Sequence, residues 1–458
     1  MKKLSIVILA AGLGSRMKSA LPKPLHKIGG KPMLEHVLES ARKLNPDRLI
    51  VVYGHRGEEL QAAFTHHEDI TWAKQETFEG TGDAMKYALP YTIEDSTVLV
   101  LYGDTPLIRA ETLEELVKNA ENTRLNWLIS SVENPTGYGR IIRDHNHHMI
   151  AIIEEKDANE TEKEIKEINT GIFAICQNFL KEALPQIDND NQQNEYYLTD
   201  VAKLAVQNGI TIHTIEEDPA VIQGVNDRIQ LANLERYYQQ EMAKQLMLNG
   251  ITIDHPDSLT IRGRVQNDLD CHIEANVILE GKVILGKNVV IRTGSVLKNV
   301  VIGDNTIIHP YSVIENASIG ANASIGPFAR IRENSKLGDN TRIGNFVETK
   351  NSTLADGAKA SHLAYLGDAT IGKESNIGAG VITCNYDGAN KHQTIIGDHA
   401  FIGSNSSLVA PVKIGNHAAT AAGSIVPKDV KDHTLVRNRL EAIHVENWEI
   451  PKKGDTKK

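Results

Sequence analysis

Cysteine is nearly absent from this sequence. The three present among 458 residues, Cys176, Cys271 and Cys384, lie far apart with no CxxC pair, which excludes a disulfide framework or a zinc knuckle and fits a reducing compartment. No apolar run approaches the ~20 residues that span a bilayer. The opening MKKLSIVILAAG mimics a signal peptide, but its apolar run is short and Arg16 and Lys18 follow at once. The expectation is a cytoplasmic protein with no membrane partner. Excess positive charge is missing too: 49 Lys and Arg stand against 59 Asp and Glu, a net charge of −10, so nothing draws the chain to nucleic acid. Aromatics are few at 5 %, whereas glycines number 35, which implies many turns.

Three stretches follow one another, and we read them as domains 1–226 and 251–458 joined by a connector, 227–250. In the first, LSIVILA, RLIVVYG and TVLVLYGD alternate with amphipathic segments such as KPMLEHVLESARKL. Continuous apolar strands between helices predict an α/β domain, a doubly wound, Rossmann-like parallel sheet buried on both faces. In the connector, Leu231, Leu234, Tyr238, Met242 and Leu246 recur at helical spacing up to the stop signal Asn249-Gly250. The third stretch changes period. Val277, Val283, Val289, Ser295, Val301, Ile307, Val313, Ile319, Ile325, Ile331, Leu337 and Ile343 are spaced by six, the signature of hexapeptide repeats in a parallel β-helix. The period breaks between Ile343 and Ile371 and again between Ile377 and Ile396, and resumes through Val426. Insertions in a solenoid leave the stack as loops, so chemistry is expected in 344–395.

The segment after the first apolar strand is LAAGLGSRM. Its glycines let backbone N–H groups approach an anion, Arg16 adds charge, and Lys23 in SALPKPL follows, the make-up of a phosphate cradle. A dinucleotide fingerprint needs GxGxxG, whereas Gly12 and Gly14 are followed by Met17, so hydride chemistry is disfavoured. Asp104 ends the strand in LYGDTPLI, where a carboxylate facing phosphates suits Mg²⁺, although an Asp before Pro106 also suits a plain turn.

LAAGLGSRM, PKPL, GTGDA (Gly80 to Ala84), LYGD, TGYGR (Thr136 to Arg140), EINTG (Glu167 to Gly171) and GVNDR (Gly224 to Arg228) together resemble sugar nucleotidyltransferases. With the hexads included, residues from about 3 to 440 resemble the bacterial bifunctional N-acetylglucosamine-1-phosphate uridylyltransferase and glucosamine-1-phosphate N-acetyltransferase family. The resemblance implies a left-handed β-helix, a homotrimer, Mg²⁺ as cofactor, and acetyl-CoA, UTP and glucosamine 1-phosphate as substrates. The product it implies, UDP-N-acetylglucosamine, supplies peptidoglycan and lipopolysaccharide. It also implies nucleotide contacts at Leu9, Ala10, Ala11, Gly12 and Lys23, and uracil contacts at Gln75, Gly80 and Thr81. Sugar-nucleotide contacts follow at Tyr102, Gly103, Asp104, Gly139, Glu154 and Asn169, with magnesium at Asp104 and Asn226. Asn226 also reads as the N-cap of the connector helix. A sugar 1-phosphate is already an ionised nucleophile, so attack on the α-phosphorus needs charge neutralisation and alignment, which Arg16 and Lys23 supply.

In the second half, His362 lies in KASHLAYLGD inside the first break, with Arg332 and Lys350 nearby in the repeat. Two such cations suit a phosphate, and they also suit an ordinary solvated face. The resemblance implies that His362 takes a proton from the glucosamine amine as it attacks the thioester, general-base help worth roughly 10² to 10⁴-fold. It implies sugar-phosphate contacts at Arg332, Lys350, Tyr365 and Asn376, and acetyl-CoA contacts at Ala379, Asn385, Tyr386, Ser404, Ala422 and Arg439, with Arg437 competing for the last position. Cys384 reads as a small packed side chain rather than a nucleophile. A single-function nucleotidyltransferase carrying its β-helix as a scaffold remains a rival, which the cluster of His362, Lys350 and Arg332 opposes. Lys23, Asp104, Glu154 and Asn226 oppose a degenerate, non-catalytic scaffold.

Overall fold

The computed structural model describes all residues except 1, 119, 121–123, 439–442 and 449–458. Two compact units form, Met1–Met242 and Ala243–Lys458, and the division falls inside the connector helix. No helix among the described residues is long and apolar enough to cross a membrane.

The first unit is built on β1 (Leu4–Leu9), α1 (Met33–Arg42), β2 (Arg48–Tyr53), α2 (Gly57–Ala63), β3 (Ile70–Lys74), α3 (Thr81–Ala88) and β4 (Thr97–Tyr102). It continues with α4 (Ala110–Val117), β5 (Arg124–Ser131), the hairpin β6 (Arg140–Arg143) and β7 (Met149–Ile153), β8 (Glu167–Cys176), α5 (Gln177–Ala183), α6 (Asp200–Gln207) and β9 (Thr211–Glu216). The main sheet runs β9-β5-β8-β4-β1-β2-β3. Because side chains alternate along a strand, β1 sends Ile6 and Ile8 into one buried cluster and Val7 and Leu9 into another, so helices cover both faces. The sheet is mostly parallel, but β8 runs antiparallel to both β4 and β5, which corrects the all-parallel expectation. The reason is topological: β6 and β7 form a hairpin directly after β5, and the chain re-enters the sheet from the end at which β5 leaves. The amino end of β8, carrying Asn169, therefore shares a rim with the carboxyl ends of β1 and β4. That rim flanks the point where the chain order reverses, the usual ligand crevice of such sheets.

The long helix α7 spans Arg228–Leu248. Its N-cap is Asp227, whose carboxylate accepts from the N–H groups of Ile229 and Gln230 (2.8 Å each). This corrects the reading of Asn226 as the cap and leaves its carboxamide available elsewhere.

The second unit is a three-faced parallel β-helix. One face stacks eleven short strands from Thr252–Ile253 to Leu435–Val436, among them Arg342–Asn345, Lys359–His362 and Asn376–Ile377. A second face carries Arg330–Ile331, Glu348–Lys350, Tyr365–Gly367 and Ile382–Cys384, and a third Thr353–Leu354, Ala369–Ile371 and Thr394–Ile396. Aliphatic side chains fill the interior: Ile291, Ile308, Ile325, Ile343, Leu366 and Ile371 are each fully buried.

Two parts of the hexad count need correction. Leu285 pairs with Ile302 and Ile302 with Ile319, a coil of 17 residues rather than 18, so the inward positions move by one. Val301, Ile307 and Val313 accordingly face outward beside inward Ile302, Ile308 and Ile314, and Val301 is 47 % exposed. Nor is there a loop between Ile343 and Ile371: Thr349, Leu354, Ala360 and Leu366 keep the coil going with two five-residue steps, and two of them are too small or polar to register as hexad markers. The real insertion follows Thr383. Ile371 pairs with Ile396, a 25-residue coil, and the surplus forms a loop pinned by a bridge from Tyr386 to Lys391.

Two candidate active sites

In the first unit, a cleft of about 290 Å³ opens where the rim was located, lined by Leu9, Ala10, Ala11, Gly12, Lys23, Gln75, Gly80, Thr81, Tyr102 and Asp104. These are ten of the positions singled out from the sequence for nucleotide, uracil and sugar. Ala10 to Gly12 continue β1, and Gly103 and Asp104 continue β4, so sheet register alone brings the two segments together. Gly80 precedes α3 with φ +112°, and a Cβ there would meet the Tyr196 carbonyl oxygen at 2.6 Å, so only glycine closes this wall of the cleft.

The charged end of the cleft centres on Lys23. Its Nζ donates to Asp104 Oδ2 and, at 2.9 Å, to Asn226 Oδ1, and Arg16 Nη2 donates to the same Asn226 oxygen at 2.9 Å. Gln230 accepts from the Asn226 backbone N–H at 2.7 Å and fixes that residue from α7. A carboxylate and a carboxamide oxygen thus converge on one cation, and two hard oxygen donors of this kind fit Mg²⁺.

The positions expected to meet the sugar form a second group. A Cβ on Gly139 would lie 3.2 Å from Glu154 Oε2 and 3.4 Å from Asn169 Cβ. The Asn169 oxygen accepts from Trp127 Nε1 and from the Gly171 N–H (2.8 Å each), which leaves its NH₂ as the group it can present. Thr199 donates to Glu154 Oε1 at 3.0 Å, and burial is the main force pushing the Glu154 carboxyl above its ordinary range. Burial likewise raises the Tyr102 phenol, whose ring packs over Gly171.

In the second unit, Ala360, Ile377, Ile402 and Thr420 pair in succession, so His362, Ala379, Ser404 and Ala422, each two residues further on, stack in one column. His362 is exposed, and its Nδ1 donates to Asn345 Oδ1 (2.8 Å) one coil earlier. With Nδ1 carrying the proton, Nε2 keeps its lone pair and can accept one. On the adjoining face, Arg332 pairs with Glu348 at 2.8 Å and Lys350 with Glu333 at 3.0 Å. Lys350 stacks on Gly367, and the space a Cβ would fill there lies 2.4 Å from the Tyr365 hydroxyl and 2.8 Å from Asn385 Nδ2. Tyr365 and Asn385 therefore meet over the glycine on which Lys350 stacks.

Two expected residues stand apart. Asn376 lies on the His362 face but outside its column, pairing with Lys359 and Phe401. Tyr386 sits in the insertion loop, 61 % exposed, donating to the Gly388 carbonyl at 2.6 Å. Arg439 lies outside the described residues. His362 itself sits in a regular coil rather than in an inserted loop, as the corrected register requires.

Sequence reasoning missed several supporting groups: Phe78 and Glu195 on the cleft wall, Trp127 and Thr199 behind the sugar side, and Asn345 beneath His362. Asn345 had a usable signal, since it precedes His362 by one 17-residue coil. The others come from distant strands and helices and had none.

A nucleotide cleft on a doubly wound sheet, followed by a β-helix with an exposed histidine column, defines a two-headed transferase, with nucleotidyl transfer in one unit and acyl transfer in the other. Family models agree half by half: a MobA-like NTP transferase domain matches residues 6–158, a GMPPB C-terminal domain 261–341, and a bacterial transferase hexapeptide model 393–428. Across the chain it is 50 % identical to the "Bifunctional protein GlmU" of Alcanivorax borkumensis, covering 98 % of this chain and 100 % of that protein. It is 48 % identical to the namesake from Acinetobacter baumannii (98 % and 99 % covered) and 47 % to that from Idiomarina loihiensis (99 % and 100 %). The chain belongs to the bifunctional GlmU family.

Proposed function

We propose that the two groups of residues described above carry the two steps by which this enzyme makes UDP-N-acetylglucosamine. The β-helix unit transfers acetyl from acetyl-CoA to glucosamine 1-phosphate, and the sheet unit joins the product to UTP with release of pyrophosphate. The observation that carries this reading is the convergence of Lys23, Arg16, Asp104 and Asn226 at the carboxyl edge of the sheet.

In the sheet unit, Ala10 to Gly12 offer backbone N–H groups to phosphate oxygens, while Lys23 and Arg16 neutralise charge on the triphosphate and the incoming sugar phosphate. Asp104 and Asn226 would hold Mg²⁺, which when bound adds charge neutralisation on the phosphates. Gln75, Gly80 and Thr81 contact the base. Tyr102, Gly103, Gly139, Glu154 and Asn169 seat the sugar, where the Asn169 NH₂ donates and Glu154 accepts.

In the β-helix unit, Arg332 and Lys350 exchange their glutamate partners for the sugar phosphate, helped by Tyr365 and Asn376. His362 Nε2 takes a proton from the amine as nitrogen attacks the thioester carbonyl and the coenzyme leaves as its thiol. Ala379, Ser404 and Ala422 form a track of small side chains along which the coenzyme lies, with Asn385, Tyr386 and Arg439 as further contacts. Asn376 and Tyr386 stand apart within one chain, which supports a homotrimer with acetyl-transfer sites between copies. Acetyl-CoA and UTP as substrates support a cytoplasmic location.

The test is incubation with glucosamine 1-phosphate, acetyl-CoA, UTP and magnesium, following thiol and pyrophosphate together. Thiol is expected first, with pyrophosphate dependent on it. Asp104→Ala is expected to abolish pyrophosphate while thiol release continues, and normal UDP-sugar synthesis by that variant would refute the assignment.

A further inference from the structure

Gln75 is buried at the cleft, and its carboxamide has two faces, one that accepts and one that donates. Which of them a nucleobase meets depends on what holds the other. Gln75 Nε2 lies 2.8 Å from Asp83 Oδ2 and 3.4 Å from the Gly80 carbonyl oxygen. A carboxylate and a carbonyl can only accept, so the atom facing them has to be the NH₂ group, and both of its hydrogens are used. Thr77 Oγ1 donates to the same Asp83 oxygen at 3.1 Å, and Asp83 is itself buried in the first turn of α3, where a negative side chain sits well against the helix dipole.

We infer that Asp83 is the residue that sets base selectivity: by holding the Gln75 NH₂ away from the cleft, it obliges Gln75 to show only its Oε1 acceptor to the base. This rests on the reading of Gln75 as a base contact. A uracil ring presents an N3–H donor to that acceptor. Cytosine presents a lone pair at the same place, and two acceptors face to face repel while both stay unsatisfied. Asp83 is not among the residues that line the cleft, so it is a positioning residue.

The experiment compares kcat/KM for UTP and CTP in the full chain, with thiol release in the second unit as an internal control. Asp83→Asn keeps size and shape but can donate as well as accept, so the Gln75 amide is free to turn over. The UTP-to-CTP ratio is expected to fall at least about tenfold, the worth of one hydrogen bond exchanged for a repulsion. Thr77→Val leaves the Gln75–Asp83 contact intact and is expected to keep the ratio within about twofold, the spread of a surface-level change. A probe without mutation is 3-deazauridine triphosphate, which carries C–H in place of N3–H and is expected to react at least about tenfold less efficiently with the wild-type chain. An unchanged ratio in Asp83→Asn overturns the inference, as does a Thr77→Val loss of equal size, which would mean general loosening. Gln75→Ala separates the two layers. If it leaves the ratio untouched, the base does not meet Gln75 and the site reading falls as well; if it collapses the ratio while Asp83→Asn does not, only the role of Asp83 falls.

Discussion

At the residue scale, the base role proposed for His362 depends on which of its nitrogens carries a proton. Asn345 Oδ1 can only accept, so its contact at 2.8 Å holds Nδ1 protonated and turns the Nε2 lone pair outward. Asn345→Ala is expected to lower kcat for thiol release by roughly 10 to 10²-fold through loss of tautomer and ring alignment. KM for glucosamine 1-phosphate should barely move, because Arg332 and Lys350 are untouched. Asn345→Asp keeps the acceptor and adds a negative charge beside the ring, which favours imidazolium, so activity should be retained with the pH–rate profile moved to higher pH. Loss of activity equal to that of Asn345→Ala would refute the tautomer argument. Glu154 offers a second residue-scale test. Burial raises its carboxyl above the ordinary 4.5, so the folded chain holds this proton more tightly than the unfolded one. Its contribution to stability is present below about the unfolded value and is lost as pH rises through the folded one. Glu154→Gln, which can still accept from Thr199, should therefore leave Tm little changed at acid pH and raise it at neutral pH. The same variant should bind UDP-sugar more weakly, because an anionic acceptor has been replaced by a neutral one. A Tm gain that did not grow with pH would contradict this.

At the scale of elements, the two sites are held differently. The cleft is assembled by sheet register and loops, whereas the histidine column is assembled by coil length, so a lesion in one coil displaces every rung it supports. Gly344 sits in the strand that carries Asn345, against the strand that carries His362, and a Cβ there would come within 1.8 Å of the Ser361 carbonyl oxygen. Backbone, not a flexible side chain, is in the way, so Gly344→Ala has to spread the two coils. We expect a loss of about 1–3 kcal/mol of stability, typical of overpacking, and near-complete loss of acetyl transfer with uridylyl transfer intact; a full-rate acetyltransferase would show that the coils tolerate the shift. The same contrast explains what could be read from sequence. β1 and β4 were legible as apolar runs, and the residues just after them, Ala10 to Gly12 and Asp104, were legible because ligands gather at the carboxyl ends of such strands. The β-helix was legible because Val277 to Ile343 recur every six residues. The phase within it was not, because Ile302 and Val301 are equally apolar neighbours and only the 17-residue coil decides which one turns inward. Thr349 and Ala360 hid an unbroken coil because a threonine or alanine in the core carries little hydrophobic signal. The antiparallel course of β8 was not legible because an apolar strand reads the same both ways, and Trp127, Thr199 and Asp83 act through contacts between segments that no local pattern records.

At the scale of the whole molecule, the question is whether one chain contains a complete acetyl-transfer site. Arg332, Lys350, Tyr365 and Asn385 gather on one face, and His362, Ala379, Ser404 and Ala422 rise in a column on the face beside it. Asn376 lies outside that column and Tyr386 extends with the insertion loop. The same unit exposes large apolar side chains at Phe401 (56 %), Ile425 (59 %) and Leu435 (60 %). Covering by further copies of the chain would satisfy both observations, because rotation about a common axis brings the loop of one copy to the column of another. The prediction concerns mixed assemblies. A His362→Ala chain and a Tyr386→Ala chain, each slow alone, should regain acetyl transfer when mixed after dissociation, since a share of the interfaces then pairs an intact histidine column with an intact loop. In the homotrimer proposed above, random mixing of the two defects makes a quarter of the interfaces intact on average, so recovery near that fraction of wild-type rate is the expected reading of thiol release. No recovery in assemblies shown to be mixed would place both residues in one chain, and the exposed apolar side chains would then serve assembly alone.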